Sequence, residues 1–557
     1  MKGADLVVRV LEEQGVDTVF GYPGGQILDV YEALYRSQDK IRHILSSHEQ
    51  HACHAADGYY RATGKTGVVI ATSGPGATNL VTGIATAYLD SVPIVAITGN
   101  VSTNLLGRDS FQECDITGIT IPITKHNFIV QDVNKLADTL RLAFQIAKSG
   151  RPGPVLVDIP KNIQNCEVEY KWKAPLENAP VPKIKQELID EAVELLKDSK
   201  APYIYIGGGA LGAEVSDEIE QIADLLEAPI GTTLMGLGAI PSNNPHYLGM
   251  EGMHGHFASN TAQNEADVIL TIGARFSDRS TGNPEKYARF AKIIQLDVDN
   301  AELNKNIPVD VAMTGDVADA TRRILAGLHQ QRRPEWKARI AELRRQEAGQ
   351  FAQTVDLGRL NPYSIIHEVA KYATPTTPIC TDVGQHQMWV AQYFPFQKPR
   401  TFVSSGGLGT MGFGLGAAIG AAMGSKQKSI LFTGDGSFGM NLNELATLRS
   451  TQTPVAIFVF NNGVLGMVRQ WQTLFYDGHY SNTDLESRQS DFVKIAEAFG
   501  IPAFRITNIE EMPQIVARAM AKDGPVLVDV LIDKDEFVLP MLPPGGSLDD
   551  IITTKEF

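Results

Sequence analysis

Short apolar runs ending in glycine, aspartate or asparagine recur along the chain. They are VVIATSG (68–74), PIVAITG (93–99), PVLVDIP (154–160), PYIYIGGG (202–209), VILTIGA (268–274), KIIQLDVD (292–299), SILFTGDG (429–436), PVAIFVFNN (454–462) and PVLVDVLID (525–533). Runs of this length with little polar alternation predict parallel strands buried on both faces. Between them lie stretches with apolar residues at helical spacing, such as LADTLRLAFQIAKSG and DEAVELLKDSK. The alternation of the two predicts α/β domains with doubly wound, mainly parallel sheets.

Two polar stretches interrupt that alternation. CEVEYKWKAPLENAPVPKIKQ carries proline and lysine with little periodicity, and QRRPEWKARIAELRRQEAGQ is charged and helical. They predict linkers at 166–184 and 336–360, and so three domains at 1–165, 185–335 and 361–557. GPVLVD occurs at 153–158 and again at 524–529, and a Gly-rich turn opens a helix in each outer third (TSGPGATNL and SSGGLGTMGFG). Two matched features in the same order predict that the first and third domains are related.

The strongest chemical signal is SILFTGDGSFGMNLNELATL followed by VAIFVFNNGVLG. A strand ends at Gly434-Asp435-Gly436, and 24 residues separate Gly436 from Asn461 at the end of the next strand. That is one βαβ crossover, so both motifs fall at the carboxyl edge of adjacent parallel strands, where open α/β sheets bind ligands. Asp435 supplies a hard carboxylate oxygen, Asn462 an amide oxygen and Val464 a nearby backbone carbonyl, a donor set suited to Mg²⁺ shared with phosphate oxygens and water. The glycines let backbone N–H groups approach a diphosphate at the helix start. Each motif alone reads as a tight turn; the pair at this spacing points to a ligand.

Charge and composition narrow the classes. The 557-residue chain has net charge −15, 43% hydrophobic and 20% charged residues. No basic stretch offsets that charge, which argues against nucleic-acid binding and requires any anionic substrate to find a local Arg or Lys. No run reaches the ~18 apolar residues of a membrane span. MKGADLVVRVLEEQG reads as an amphipathic helix rather than a signal peptide, and the four cysteines match no disulfide or metal spacing, so a cytoplasmic setting is expected.

One stretch, SSHEQHACHAADGYY (46–60), supports two readings: a metal site on His48, His51 and His54, or a proton-transfer site on the lone carboxylate Glu49. No further ligand cluster accompanies the histidines, and Asp435 with Asn462 makes the better metal site, so Glu49 is the residue to follow.

These motifs, together with FGYPGGQILDVYEAL, FQECD, TKHNF, GRPGPVLVDIPK, LGMEGMHGH, GARFSDRSTG, TDVGQHQMW, GMVRQWQ and the terminal PPGG, occur in an order that resembles the catalytic subunits of acetohydroxyacid synthase (acetolactate synthase). The resemblance spans essentially the whole chain. It implies a thiamine-diphosphate-binding fold with a pyrimidine domain, a central FAD domain and a diphosphate domain. It also implies a transferase using thiamine diphosphate, Mg²⁺ and FAD, which decarboxylates pyruvate and passes the hydroxyethyl unit to a second pyruvate or to 2-ketobutyrate. The products would be 2-acetolactate or 2-aceto-2-hydroxybutyrate, in branched-chain amino-acid biosynthesis.

Residue roles are implied by the same resemblance. Glu49 would hydrogen-bond N1′ of the aminopyrimidine and promote its imino tautomer. Gly25, Phe111 and Gln112 would face the reacting centre, with Lys161 at the channel mouth. Arg279 would grip the acceptor's carboxylate, against the plainer reading of a surface pair with Asp278. Trp471 and Met467 would shape the acceptor pocket. Tyr22, Pro23, Gly24, Pro75, Asn79, Gln385, His386, Gly409, Met411, Gly434, Gly436 and Ser437 would contact thiamine diphosphate, Met411 propping its bent form. Gly207, Gly208, Gly209, Thr233, Leu234, Met235, Gly252, Met253, His254, Gly273, Arg275, Asp297 and Asp316 would cradle FAD, expected to be structural because the reaction is redox-neutral. Glu49 and the GDG domain of one site would come from different chains, implying a homodimer or homotetramer, and many members also bind a small regulatory subunit.

Three positions depart from the family pattern: His48 for arginine, Glu251 for an apolar residue beside the flavin, and Gly416 for proline, expected to loosen a helix start. Pyruvate oxidase, another thiamine-diphosphate carboligase or decarboxylase, and a non-catalytic flavin-binding protein remain the rival readings.

Overall fold

The computed structural model describes residues 1–178, 180–488 and 490–554, so linker position 179, position 489 and the last three residues of the third predicted domain, 555–557, lie outside the described residues. Among the described residues the strands form three six-stranded parallel sheets separated by helices, the α/β architecture that the apolar runs predict.

The first sheet contains β1 (Thr18–Tyr22), β2 (Arg42–Leu45), β3 (Gly67–Ala71), β4 (Ile94–Asn100), β5 (His126–Ile129) and β6 (Val155–Pro160), in the order β2-β1-β3-β4-β6-β5. The second contains β7 (Pro202–Ile206), β8 (Ile230–Thr232), β9 (Tyr247–Met250), β10 (Val268–Ile272), β11 (Lys292–Asp297) and β12 (Val311–Thr314), in the order β12-β11-β10-β7-β8-β9. The third contains β13 (Ile379–Thr381), β14 (Phe402–Val403), β15 (Ser429–Gly434), β16 (Val455–Asn461), β17 (Ala503–Ile506) and β18 (Val526–Leu531), in the order β14-β13-β15-β16-β18-β17. The outer sheets thus repeat one topology. The central sheet has the strand order of doubly wound dinucleotide folds, whose crevice opens where that order reverses, between β7 and β10.

Central strands such as β3, β4, β6 and β15 are buried along their whole length, which is why they are unbroken apolar runs. Each sheet packs helices on both faces, and among the described residues the core is six apolar clusters, two centred on each domain, with a smaller seventh between the central and third domains.

The outer domains meet through two helices, Glu49–Thr63 and Gly414–Ser425, at very close range. A Cβ on Gly58 would fall on the carbonyl of Ala417, and one on Gly420 on the carbonyl of Ala55. A Cβ on Gly416 would lie 2.7 Å from the His51 carbonyl oxygen. Gly416, expected to loosen a helix start, is the third residue of its helix, and the absence of a side chain there lets the two backbones come close.

Candidate functional site

Glu49 opens its helix. His48 caps the helix in extended backbone, its Nδ1 accepting from the Gln50 N–H at 3.1 Å, and Gly64 ends it at φ 74°. The acidic side chain at the first helical position suits the positive end of the helix dipole. Glu49 is only 9% exposed, and its Oε2 accepts from the Asn79 amide at 2.9 Å. Gly76 lies directly beneath: a Cβ there would be 3.2 Å from Glu49 Oε1.

The other first-domain candidates lie on neighbouring strand-end turns. The turn Tyr22-Pro23-Gly24-Gly25 leaves the end of β1 and lies against Thr72, whose Oγ1 accepts from the Gln26 N–H at 3.2 Å. A Cβ on Gly24 would strike the Thr72 side chain. Lys161 donates to the Gly25 carbonyl at 3.0 Å and pairs with Asp29 at 2.7 Å. Pro75 starts the short helix that carries Asn79 at its end. Gly74, at φ 58°, lies under the backbone of Gln112, which itself takes φ 60°. Phe111 projects outward, 83% exposed.

In the third domain β15 delivers Asp435 and β16 delivers Asn462, as the crossover spacing predicts. Asp435 Oδ2 accepts from the Gly463 N–H at 2.9 Å and Oδ1 from the Gly436 N–H at 2.9 Å. Asn462 Oδ1 accepts from the Val464 N–H at 3.2 Å. Burial pushes the Asp435 carboxyl up to about 7, against the pull of the backbone N–H groups. A carboxylate, an amide oxygen and main-chain carbonyls with no soft ligand form a donor set for a hard divalent cation.

His386 borders the same turn: it is buried, its Nε2 has no hydrogen-bond partner among the described residues, and its ring lies against Gly434. Ser437 donates to the Val383 carbonyl at 2.8 Å. Met411 reaches over Gly436, and Gly409 takes φ 67° in the loop before it. Gln385 donates to Gln470 Oε1 at 3.0 Å and to the Glu536 carbonyl at 2.7 Å. An orphaned histidine nitrogen beside a glycine turn at a strand end suits a phosphate-bearing ligand.

The central candidates lie at the carboxyl ends of their strands. Gly207 and Gly209 after β7 meet Gly273 after β10 backbone to backbone, on either side of the crevice. Gly208 stands beside Met235; Thr233 caps the turn Leu234–Gly236, and Gly252 takes φ 115°. His254 is buried with Nδ1 unpartnered among the described residues, and burial lowers its pKa to about 4. Asp297 ends β11, pushed up to about 6 by burial, and Arg275 stands two residues past Gly273. Asp316 serves as a helix cap, its carboxylate accepting from the Asp319 N–H at 3.0 Å.

Arg279 connects the central and third domains. Its guanidinium lies 5.6 Å from the centre of the Trp471 ring and touches Met253 Sδ at 3.5 Å. The pair with Asp278 is only 3.9 Å and lies in solvent, with Arg279 60% exposed, so the aromatic stack is the firmer contact. Trp471 packs with Met253, Leu539 and Met541, and Met467 backs onto the third-domain core.

Glu251 is buried, Tyr287 donates to it at 3.0 Å, and burial raises its pKa to about 8, which disfavours the charged form. The three histidines stand in a row, ring centroids 5.5 and 6.3 Å apart, but have separate duties. His48 caps the helix, His51 meets Glu444, and His54 meets Gln50 and the Phe413 ring. Among the described residues no group of three or more His, Cys, Asp or Glu is placed to hold a metal, and no helix is long and apolar enough to cross a membrane.

Several further residues in these clusters lie inside the sequence motifs but carry no role there. Thr72 seats the Gly24 turn, Gln470 holds Gln385, and Asp382 accepts from the Gly412 N–H at 2.8 Å beside Met411. Asp382 and Gln470 stand inside TDVGQHQMW and GMVRQWQ, where their neighbours carry the candidate roles.

The family description "Thiamine pyrophosphate enzyme" matches in all three domains: its N-terminal TPP binding domain over residues 1–119, its central domain over 189–324 and its C-terminal TPP binding domain over 382–530. Two separate strand-end sites on a duplicated topology, with a dinucleotide-type sheet between them, therefore define a thiamine diphosphate enzyme. Similarity to curated proteins is tighter still. The chain is 46% identical to the acetolactate synthase large subunit of Corynebacterium glutamicum, over 99% of this chain and 90% of that protein. It is 44% identical to the probable large subunit of Methanocaldococcus jannaschii (99% and 95% covered) and 40% identical to the isozyme 3 large subunit of Escherichia coli K12 (100% and 99%). The chain belongs to the acetolactate synthase large-subunit family.

Proposed function

We propose that this chain joins two 2-keto acids, pyruvate as donor and pyruvate or 2-ketobutyrate as acceptor, with Mg²⁺ and FAD beside thiamine diphosphate. When bound, thiamine diphosphate supplies the electron sink that lets a 2-keto acid lose carbon dioxide. Asp435, Asn462 and a carbonyl at Val464 would hold Mg²⁺, and His386, Ser437 and the N–H groups around Gly436 would hold the diphosphate. Glu49, buried and oriented by Asn79, would exchange a proton with N1′ of the pyrimidine. Gln112, packed on Gly74, and Gly25, held by Lys161, would face the reacting centre. The Gly207–Gly209 and Gly273 contact and the unpartnered His254 nitrogen suit a flavin dinucleotide in the central crevice.

The observation that carries the choice of reaction is Arg279 over Trp471. A guanidinium fork beside an aromatic wall can bind the carboxylate and side chain of an acceptor keto acid, which an oxidase passing electrons to flavin does not need. Exposed apolar side chains beside both clusters, Tyr22 and Phe111 in the first domain and Leu408 and Met440 in the third, support a homodimer in which each site draws on two chains. The relatives' description as large subunits supports a smaller regulatory partner.

Product analysis from pyruvate, with and without 2-ketobutyrate, tests the reading. Acetolactate formed without oxygen uptake is expected. Oxygen uptake with acetyl phosphate or acetate, or no turnover with all three cofactors present, would overturn it.

A further inference from the structure

The proposed reaction depends on where Glu49 points, yet among the described residues its carboxylate has one hydrogen-bond partner, Asn79. Its backbone is held from elsewhere. Glu444 of the third domain accepts from the Ser47 N–H at 2.9 Å, and the same oxygen lies 3.2 Å from His51 Nδ1. Ser47 Oγ donates to the Asn443 carbonyl at 2.9 Å. The second Glu444 oxygen accepts from Thr447 Oγ1 at 2.6 Å. One carboxylate therefore grips the chain two residues before Glu49 and two residues after it.

Glu444 is only 1% exposed on its side chain, and His51 is also buried. A carboxylate this buried carries a desolvation cost that surface groups do not, and its donors come from two domains. It has no access to solvent or ligand, so a binding role does not account for it. It also stands nine residues after Asp435, in the short turn Leu442–Glu444. Asn441, at the start of that turn, donates to the Gly412 carbonyl at 2.9 Å, next to Met411.

We propose that Glu444, braced by His51, is a positioning residue for Glu49, fixing the helix start that carries the proton-handling carboxylate to the diphosphate-binding segment of the same chain. The inference rests on the function proposed above. Because the turn comes directly after the GDG motif, the placement of Glu49 depends on how that segment is seated. Misplacing a catalytic group by about 1 Å costs on the order of a hundredfold in rate.

The test compares Glu444→Gln and Glu444→Ala in the parent and in a Glu49→Gln background, each loaded with thiamine diphosphate, Mg²⁺ and FAD. In the parent background the expected result for Glu444→Gln is a roughly 10- to 100-fold lower kcat. The KM for pyruvate, FAD absorbance and melting temperature stay close to the parent's. The circular-dichroism signature of the bound cofactor's pyrimidine tautomers should weaken in parallel. In the Glu49→Gln background the same change should cost less than about twofold, because coupled residues are not additive. Equal fold-losses in both backgrounds would overturn the proposal, as would an unaltered dichroism spectrum. Loss of FAD and of cooperative melting in both Glu444 variants would make the residue a folding contact and also overturn it. If the parent makes no acetolactate yet the tautomer signature still weakens in Glu444→Gln, the proposed reaction fails and the positioning role stands.

Discussion

The first and third domains are the same frame fitted with different chemistry. In the first, β3 pairs Ala71 with Thr98 on β4, and β4 pairs Thr98 with Asp158 on β6. In the third, β15 pairs Thr433 with Val459 on β16, and β16 pairs Val459 with Asp529 on β18. Counting from those pairs, Asn100 matches Asn461, and each binds the aspartate of its own domain: Asn100 to Asp158 at 2.5 Å, Asn461 to Asp529 at 3.0 Å. One residue further the match breaks, with Val101 standing where the third domain has Asn462. Two residues past Ala71 stands Ser73, where the third domain has Asp435. The shared part is the bracing of adjacent strands, and the differing part is the turn at the strand end. The two domains took on separate tasks through their strand-end turns, while the sheets beneath kept one design.

The largest expected effects test this division of labour. Asp435→Ala should weaken binding of thiamine diphosphate and Mg²⁺ by more than about a hundredfold, since losing even a supporting group around a metal costs roughly 10- to 100-fold. Glu49→Gln should leave cofactor and FAD bound but cut turnover by roughly 10²–10⁴-fold, the range for an acid–base group. Cofactor titration and steady-state rates separate the two. If both variants fail in the same way, the two turns do not have distinct tasks.

The same contrast explains what can be read from the sequence. The central strands are buried on both faces and stand out as apolar runs, whereas β2 (RHIL), β5 (HNFI) and β17 (AFRI) lie at sheet edges with exposed positions and leave no such run. β8 and β13 are interior but only three residues long, too short for a period to register. Asp435 and Asn462 are legible because short local motifs carry them. Thr72, Gln470 and Glu444 are not, because each acts on a residue far away in the chain. At Glu251 sequence gives a charge, while burial decides whether the group keeps it.

A smaller effect is expected where the third domain meets the central one. Arg279 and Trp471 form a wall contributed by both, with no counterpart in the first domain among the described residues. Trp471→Leu should lower the preference for 2-ketobutyrate over pyruvate by about 1–3 kcal/mol, the scale on which a pocket distinguishes one methylene. Competition of the two acceptors, with products separated by chromatography, reads this directly. An unaltered product ratio would remove Trp471 from the acceptor pocket.

The smallest effect concerns the bracing aspartates, alike in place but not in company. Asp158 is bound by neutral groups, Thr98 Oγ1 at 2.7 Å and Asn100, and burial pushes it up to about 7. Asp529 also accepts from the Arg505 guanidinium at 2.9 Å, although burial still raises it above the usual carboxylate range. For a carboxyl raised on folding, the folded state holds the proton longer than the unfolded one. Stability is greatest below the unfolded value, 3.8, and declines as pH rises to about 7. Asp158→Asn removes that decline. Global melting of a chain with three domains mixes several transitions, so amide hydrogen exchange along β4 and β6 is the suitable probe. Relative to the parent at the same pH, protection in Asp158→Asn should be little altered near pH ~4 and more than about tenfold higher near pH ~8, beyond the whole window of the decline. Asp529→Asn should instead lose protection along β16 and β18 at both pH values, because it strips Arg505 of its buried partner. A parallel response of the two variants would mean that the flanking arginine, and not only the strand ends, is immaterial to how the two frames diverged.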